Sequence, residues 1–141
     1  MTDREFIPIA NPNIDSKEAQ AVYDVIKSGW ISMGKKVQEL EAKICKYIGV
    51  KHAILFNSGT SSLHTALIAA GVQENDEVIV PTLSYISSGN TIIYCGAKPV
   101  FCDADNKTFN ASAADIKSKI TEKTKAIMIV DLKGMPADFD E

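Results

Sequence analysis

Apolar positions change their period part-way along the chain. Between Asp15 and Ser28, the residues Ala19, Val22, Val25 and Ile26 recur at helical spacing. Asp15 or Ser16 stands where a cap is needed, and Gly29 where the helix must stop. From about Lys35 to Tyr47, a second face is drawn by Val37, Leu40, Ile44 and Tyr47, and Gly49 ends it. The linking loop, Trp30-Ile31-Ser32-Met33-Gly34, is unusually apolar.

Beyond Gly49 the helical period gives way to short, nearly continuous apolar runs. HAILF (52–56), EVIV (77–80), PVFCD (99–103) and KAIMIV (125–130) predict strands. Helices are expected over Ser61–Ala70, Tyr85–Cys95 and Asp115–Ile120, with Gly71 and Gly96 closing the first two. Strands of this kind, alternating with helices, indicate an α/β fold whose sheet is covered on both faces. No internal repeat, low-complexity tract or linker interrupts the pattern. The expectation is one domain over 1–141, or part of one, with helices and a loop in 1–50 and a partial α/β sheet in 51–141. Pro136 and the acidic residues after it read as the start of another helix. The chain is therefore expected to stop inside a larger fold, with open parallel edges that favour association.

Composition narrows the function classes. The 141 residues hold 15 Lys plus Arg against 18 Asp plus Glu, a formal charge of −3. That balance gives no electrostatic footprint for nucleic acid. No apolar run approaches the roughly 20 residues that span a bilayer. The opening MTDREFIPIANPN has too short an apolar stretch for a signal peptide. Cys45, Cys95 and Cys102 form no pairing pattern, and they read as buried free thiols in a reducing, cytoplasmic compartment. With no CxxC, and with His52 and His64 far from any ligand cluster, no metal site is expected.

The local pattern that carries chemistry is strand, then Asn57-Ser58-Gly59-Thr60-Ser61-Ser62, then helix. A glycine lets the backbone approach a ligand, and a helix N-terminus offers unpaired N–H groups with a favourable dipole. Hydroxyls at Thr60, Ser61 and Ser62 add donors, so the segment suits a phosphate. It lacks the Gly-Lys-Ser/Thr ending of a P-loop and the three spaced glycines of a dinucleotide fingerprint. Capping of the helix by Ser58 or Thr60 accounts for the spacing equally well. Tyr85 follows the strand that ends at Pro81 and should stand near the same sheet edge. There it could stack on a flat cofactor, or it could fill the core under a loop.

Taken together, SGWISMG (28–34), NSGTSSLHTAL (57–67), NDEVIVP (75–81) and YCGAKPVF (94–101) resemble the N-terminal part of the DegT/DnrJ/EryC1/StrS family. The likeness runs over essentially the whole chain. Members are sugar aminotransferases that use pyridoxal 5′-phosphate (PLP) and have the fold-type I large domain, with αβα layers around a mostly parallel sheet. The resemblance implies that Gly59, Thr60 and Ser61 hold the cofactor phosphate and that Tyr85 stacks on its ring. It implies that Trp30, Ser32 and Gly34 belong to a loop reaching toward a nucleotide-linked keto-sugar. The amino donor would be glutamate, and the active site would form in a homodimer. Asp131 and Lys133 depart from the family, which often has His and an aromatic there. The Schiff-base lysine and the acid paired with the pyridine nitrogen match no residue in 1–141, so the chain alone is expected to be inactive and no catalytic residue is assigned. The alternatives are a PLP-dependent sugar dehydratase of the same family, a truncated non-catalytic binding or interaction module, and a phosphate-binding α/β domain unrelated to PLP.

Overall fold

The computed structural model describes residues 6–8 and 10–140, so Ile9 lies outside them. Those residues form two compact units that divide between Leu55 and Phe56.

The first unit holds two helices. Helix α1, Ser16–Ser28, opens on a capping box in which the Asp15 side chain and Glu18 each satisfy a backbone N–H of the first turn. Lys17 N–H donates to Asp15 Oδ1 at 2.6 Å, and Asp15 N–H donates to Glu18 Oε2 at 2.8 Å. Gly29 leaves the helix in the left-handed region, at φ 74°, where a side chain would be strained. Helix α2, Lys35–Ile48, ends the same way at Gly49. Neither helix has a buried residue.

The expected strand over 52–56 does not form. Among the described residues this segment pairs with no other strand. The Leu55 N–H, which a ladder would have used, instead donates to Glu41 Oε1 at 3.0 Å. An apolar run becomes a strand only when another strand lies beside it.

The second unit is an α/β layer. Helix α3 spans Gly59–Ala69, strand β1 Glu77–Pro81, helix α4 Ser87–Tyr94 and strand β2 Lys98–Cys102. Helix α5, Ala113–Lys119, strand β3, Thr124–Ile127, and a 3-10 turn at Leu132–Gly134 complete it. The sheet order is β2-β1-β3, with both pairings parallel. Every residue of β1 is buried, whereas β2 and β3 are only partly covered. The middle strand is therefore the continuous apolar run that a doubly covered parallel sheet demands. Val78 and Val80 join Leu67, Val72, Ile92 and Ala97 in the core, with Cys95, Ala126 and Met128 packed against it. All three cysteines are free, but only Cys102 is buried.

Residues 136–140 form no helix. The carbonyls of Met135 and Pro136, which a helix beginning there would need as acceptors, both accept from the Asn110 side-chain amide.

One charged group ties the amino-terminal ends of the strands together. Glu77 is 9% exposed and accepts from the Thr121 hydroxyl at 2.8 Å and from Lys98 Nζ at 3.0 Å. The Thr121 hydroxyl first, and then Lys98, hold its carboxyl below the ordinary value of 4.5. A depressed folded-state value stabilises the fold above about pH 4.5, and that contribution is lost as pH falls through the lower, folded value. Glu77→Gln should therefore lower the urea midpoint at pH 7, and the gap from the parent should narrow on acidification toward pH 3. A gap that does not change with pH would show that the ionised carboxylate is not what matters.

Candidate functional site

The carboxyl edge of the sheet collects the residues singled out in the second unit. β1 leaves the sheet at Pro81 and reaches α4 through residues 82–86, so the N-terminus of α4 lies at that edge. The N-terminus of α3 is brought to the same place by a direct bond, Thr60 Oγ1 to Ser87 Oγ at 2.7 Å. A second hydroxyl pair, Ser84 Oγ to Ser88 Oγ at 2.7 Å, fastens the loop to α4. Thr82 anchors the loop's start, since its hydroxyl donates to the Cys102 carbonyl at 2.7 Å and its N–H donates there at 2.9 Å.

The start of α3 is capped and rich in hydroxyls. Ser58 caps the helix, its Oγ accepting the Ser61 N–H at 3.2 Å. Ser61 Oγ lies 3.0 Å from Ser58 Oγ, and the Ser62 hydroxyl turns back to the Gly59 carbonyl at 2.8 Å. Gly59 and Thr60 are the first two helical residues, and their N–H groups have no acceptor inside the helix. A side chain built on Gly59 would meet nothing within 4 Å, so the space beside Gly59 is open. The cap uses the Ser61 N–H and leaves the two N–H groups before it without an acceptor inside the helix, so capping does not exclude a ligand there.

Tyr85 stands two residues before α4, with its carbonyl accepting the Ser88 N–H at 2.9 Å. Tyr85 is 77% exposed, so it fills no core among the described residues. Ser84, Ser87 and Ser88 were not singled out from the sequence. Their only signal is the hydroxyl-rich run that follows the second predicted strand.

Trp30, Ser32 and Gly34 lie together in the first unit. Trp30 is 65% exposed, and its indole N–H donates to the Met33 carbonyl at 3.0 Å. The ring passes so close to Gly34 that an added Cβ would sit 2.5 Å from Nε1 and 2.7 Å from Cδ1. Gly34 has extended backbone, so a larger residue there would be opposed by the Trp30 ring, which it would have to displace, and not by the dihedral. Ile31 and Met33 are exposed beside it.

Other groups at or near the edge are unreactive. Burial pushes the Cys102 thiol up, with Asp115 adding to the effect, so it is a poor nucleophile at neutral pH. Among the described residues no His, Cys, Asp or Glu cluster could hold a metal ion. A concavity of about 760 Å³ beside α5, lined in part by Asp105, Thr108 and Phe139, includes none of Gly59, Thr60, Ser61 or Tyr85.

Residues 12–141 match the model of the DegT/DnrJ/EryC1/StrS aminotransferase family. The chain belongs to that family. It is 47% identical over 141 residues to a GDP-perosamine synthase of Caulobacter vibrioides, covering 99% of this chain and 38% of the relative. It is 46% identical to a GDP-perosamine synthase of Escherichia coli O157:H7, covering 97% of this chain and 38% of that protein. Among solved structures it superposes on Spr1654 of Streptococcus pneumoniae, assigned as a sugar aminotransferase and solved in its PLP form. There the TM-score is 0.91 at 38% identity, covering 95% of this chain and 34% of that one. It also superposes on the E. coli GDP-4-keto-6-deoxy-D-mannose-3-dehydratase with bound hydrated PLP, with TM-score 0.88 at 30% identity over 94% of this chain and 36% of that one. The chain thus spans less than two-fifths of the length of these family members, and its α/β layer is part of a fold-type I domain.

The hydroxyl bridge can be tested directly. Thr60→Val keeps the shape but leaves the buried Ser87 hydroxyl without its partner, which should cost about 1–3 kcal/mol. Ser58→Ala removes the cap and should cost about 1 kcal/mol. Urea unfolding at pH 7 measures both, and a Thr60→Val chain as stable as the parent would show that the bridge does not hold the two helix ends together.

Proposed function

We propose that this chain supplies the cofactor-phosphate cradle of a PLP-dependent aminotransferase acting on a GDP-linked keto-sugar. The observation that carries the proposal is the start of α3, where the Gly59 and Thr60 N–H groups have no acceptor inside the helix, the space beside Gly59 is open, and three hydroxyls stand nearby. Such a helix end favours a phosphate through its dipole and its free donors. Gly59, Thr60 and Ser61 would hold the phosphate, and the exposed Tyr85 ring would lie against the flat ring of the cofactor. PLP, when bound, supplies the electron sink that lets an amino group be exchanged for a keto oxygen.

Two GDP-perosamine synthases at 46–47% identity support a GDP-sugar substrate and the aminotransferase reading. The dehydratase is more distant, at 30% identity. Trp30, Ser32 and Gly34 would form the loop that meets the sugar nucleotide, with glutamate as amino donor. Trp30, Ile31 and Met33 expose apolar surface that a second copy of the chain would cover in a homodimer. Among the described residues no helix is long and apolar enough to cross a membrane, and we place the protein in the cytoplasm. No residue of the chain matches the family's Schiff-base lysine, so the chain by itself should not aminate a GDP-linked keto-sugar from glutamate.

The cradle is best tested with ligands that have no aldehyde, so that surface lysines cannot react. Pyridoxine 5′-phosphate should bind the chain at least about tenfold more tightly than pyridoxine, a difference of about 1.4 kcal/mol. Gly59→Asp puts a negative charge where the phosphate would sit. An acidic residue in a first helical turn is itself favourable, so the fold should be retained. This variant should lose the phosphate preference while keeping its urea midpoint. Equal affinity for the two ligands in the parent chain would refute the cradle.

A further inference from the structure

Asn110 is 4% exposed, although it lies in an irregular stretch between β2 and α5. Its side-chain N–H groups donate to the carbonyls of Met135 at 3.0 Å and Pro136 at 3.1 Å, and its Oδ1 accepts the Leu132 N–H at 3.0 Å. All three partners belong to the turn that follows β3. One buried amide therefore spends its donors and its acceptor on a segment 22 to 26 residues away.

The topology gives this contact its weight. The stretch carrying Asn110 leaves the carboxyl end of β2, and the turn leaves the carboxyl end of β3. These two strands do not touch, because β1 lies between them. Asn110 joins their exits. Its own position is fixed on the β2 side, where its carbonyl accepts the Asp105 N–H at 2.8 Å and Ala104 bridges Ala111. Asp105 in turn accepts from the Lys107 and Thr108 N–H groups and from the Thr108 hydroxyl. The turn is irregular, with Lys133 at φ 54° and Gly134 at φ 80°, and it carries Asp131 and Lys133 at the same carboxyl edge as Gly59–Ser62 and Tyr85.

We propose that Asn110 is a positioning residue that, through its amide, fixes the turn bearing Asp131 and Lys133 over the carboxyl edge of the sheet. The inference goes beyond the cofactor reading and stands whether or not PLP is the ligand. Asn110 sets where one carboxylate and one ammonium stand relative to whatever occupies that edge.

Two variants separate hydrogen bonding from mere filling of space. Asn110→Ala removes all three bonds. Asn110→Asp keeps the shape but sets a carboxylate against two carbonyls. Amide hydrogen exchange of the purified chain is followed in peptides covering 130–137 and β1. The expected result is exchange about tenfold or more faster in 130–137 for both variants, with Asp at least as fast as Ala and β1 little changed. Parent-like exchange in Asn110→Asp would overturn the proposal by showing that only volume matters. Parallel acceleration of β1 and the turn would also overturn it, by showing a global role. Should either variant fail to fold, the unaltered chain decides. Nuclear Overhauser contacts from the Asn110 side-chain N–H protons to Met135 and Pro136 support the latch, and their absence overturns it.

Discussion

The second unit depends on β1 being the middle strand of a parallel sheet. Its five residues are buried throughout, and its neighbours on both sides are later in the chain. A parallel strand cannot be reached by a tight turn, so each pairing requires a crossover. The crossovers here are α4 and α5. They bring the chain back to the amino-terminal side and leave the carboxyl ends of all three strands at one edge. The ionised Glu77 works at the opposite edge. It receives Lys98 from the start of β2 and Thr121 from the approach to β3, so one carboxylate links all three strand starts.

What gathers at the carboxyl edge is polar and mostly uncharged. Two helix starts are locked to each other through Thr60 and Ser87, and the intervening loop is locked through Ser84 and Ser88. Hydroxyl pairs suit this job because each can donate and accept. They fix the α3 end without placing a charge beside it, and the Ser58 cap takes the Ser61 N–H while leaving those of Gly59 and Thr60 without an acceptor in the helix.

Much of this was legible from residue patterns. Both helices of the first unit fall within a residue or two of their expected bounds, because caps and glycine stops are local. Three of the four predicted strands are present for the same reason: each apolar run is bounded by turn residues. The fourth, 52–56, shows where pattern reasoning ends. HAILF has the right composition, yet its Leu55 N–H is taken by Glu41. Tyr85 was placed at the correct edge, but whether it was core or exposed could not be read from spacing.

The sequence by itself determined the order of the elements that form, the helix ends and, through the combined motifs, the family. Each of these is written in residues close together in the chain, where local sterics and hydrogen bonding decide. Only the tertiary structure decided which run lacks a strand partner, that Thr60 meets Ser87, and that Asn110 joins the exits of two strands that never touch. Those contacts span 27 and up to 26 residues. No period or spacing encodes them, because they exist only once the crossovers have brought the strand ends to a common edge.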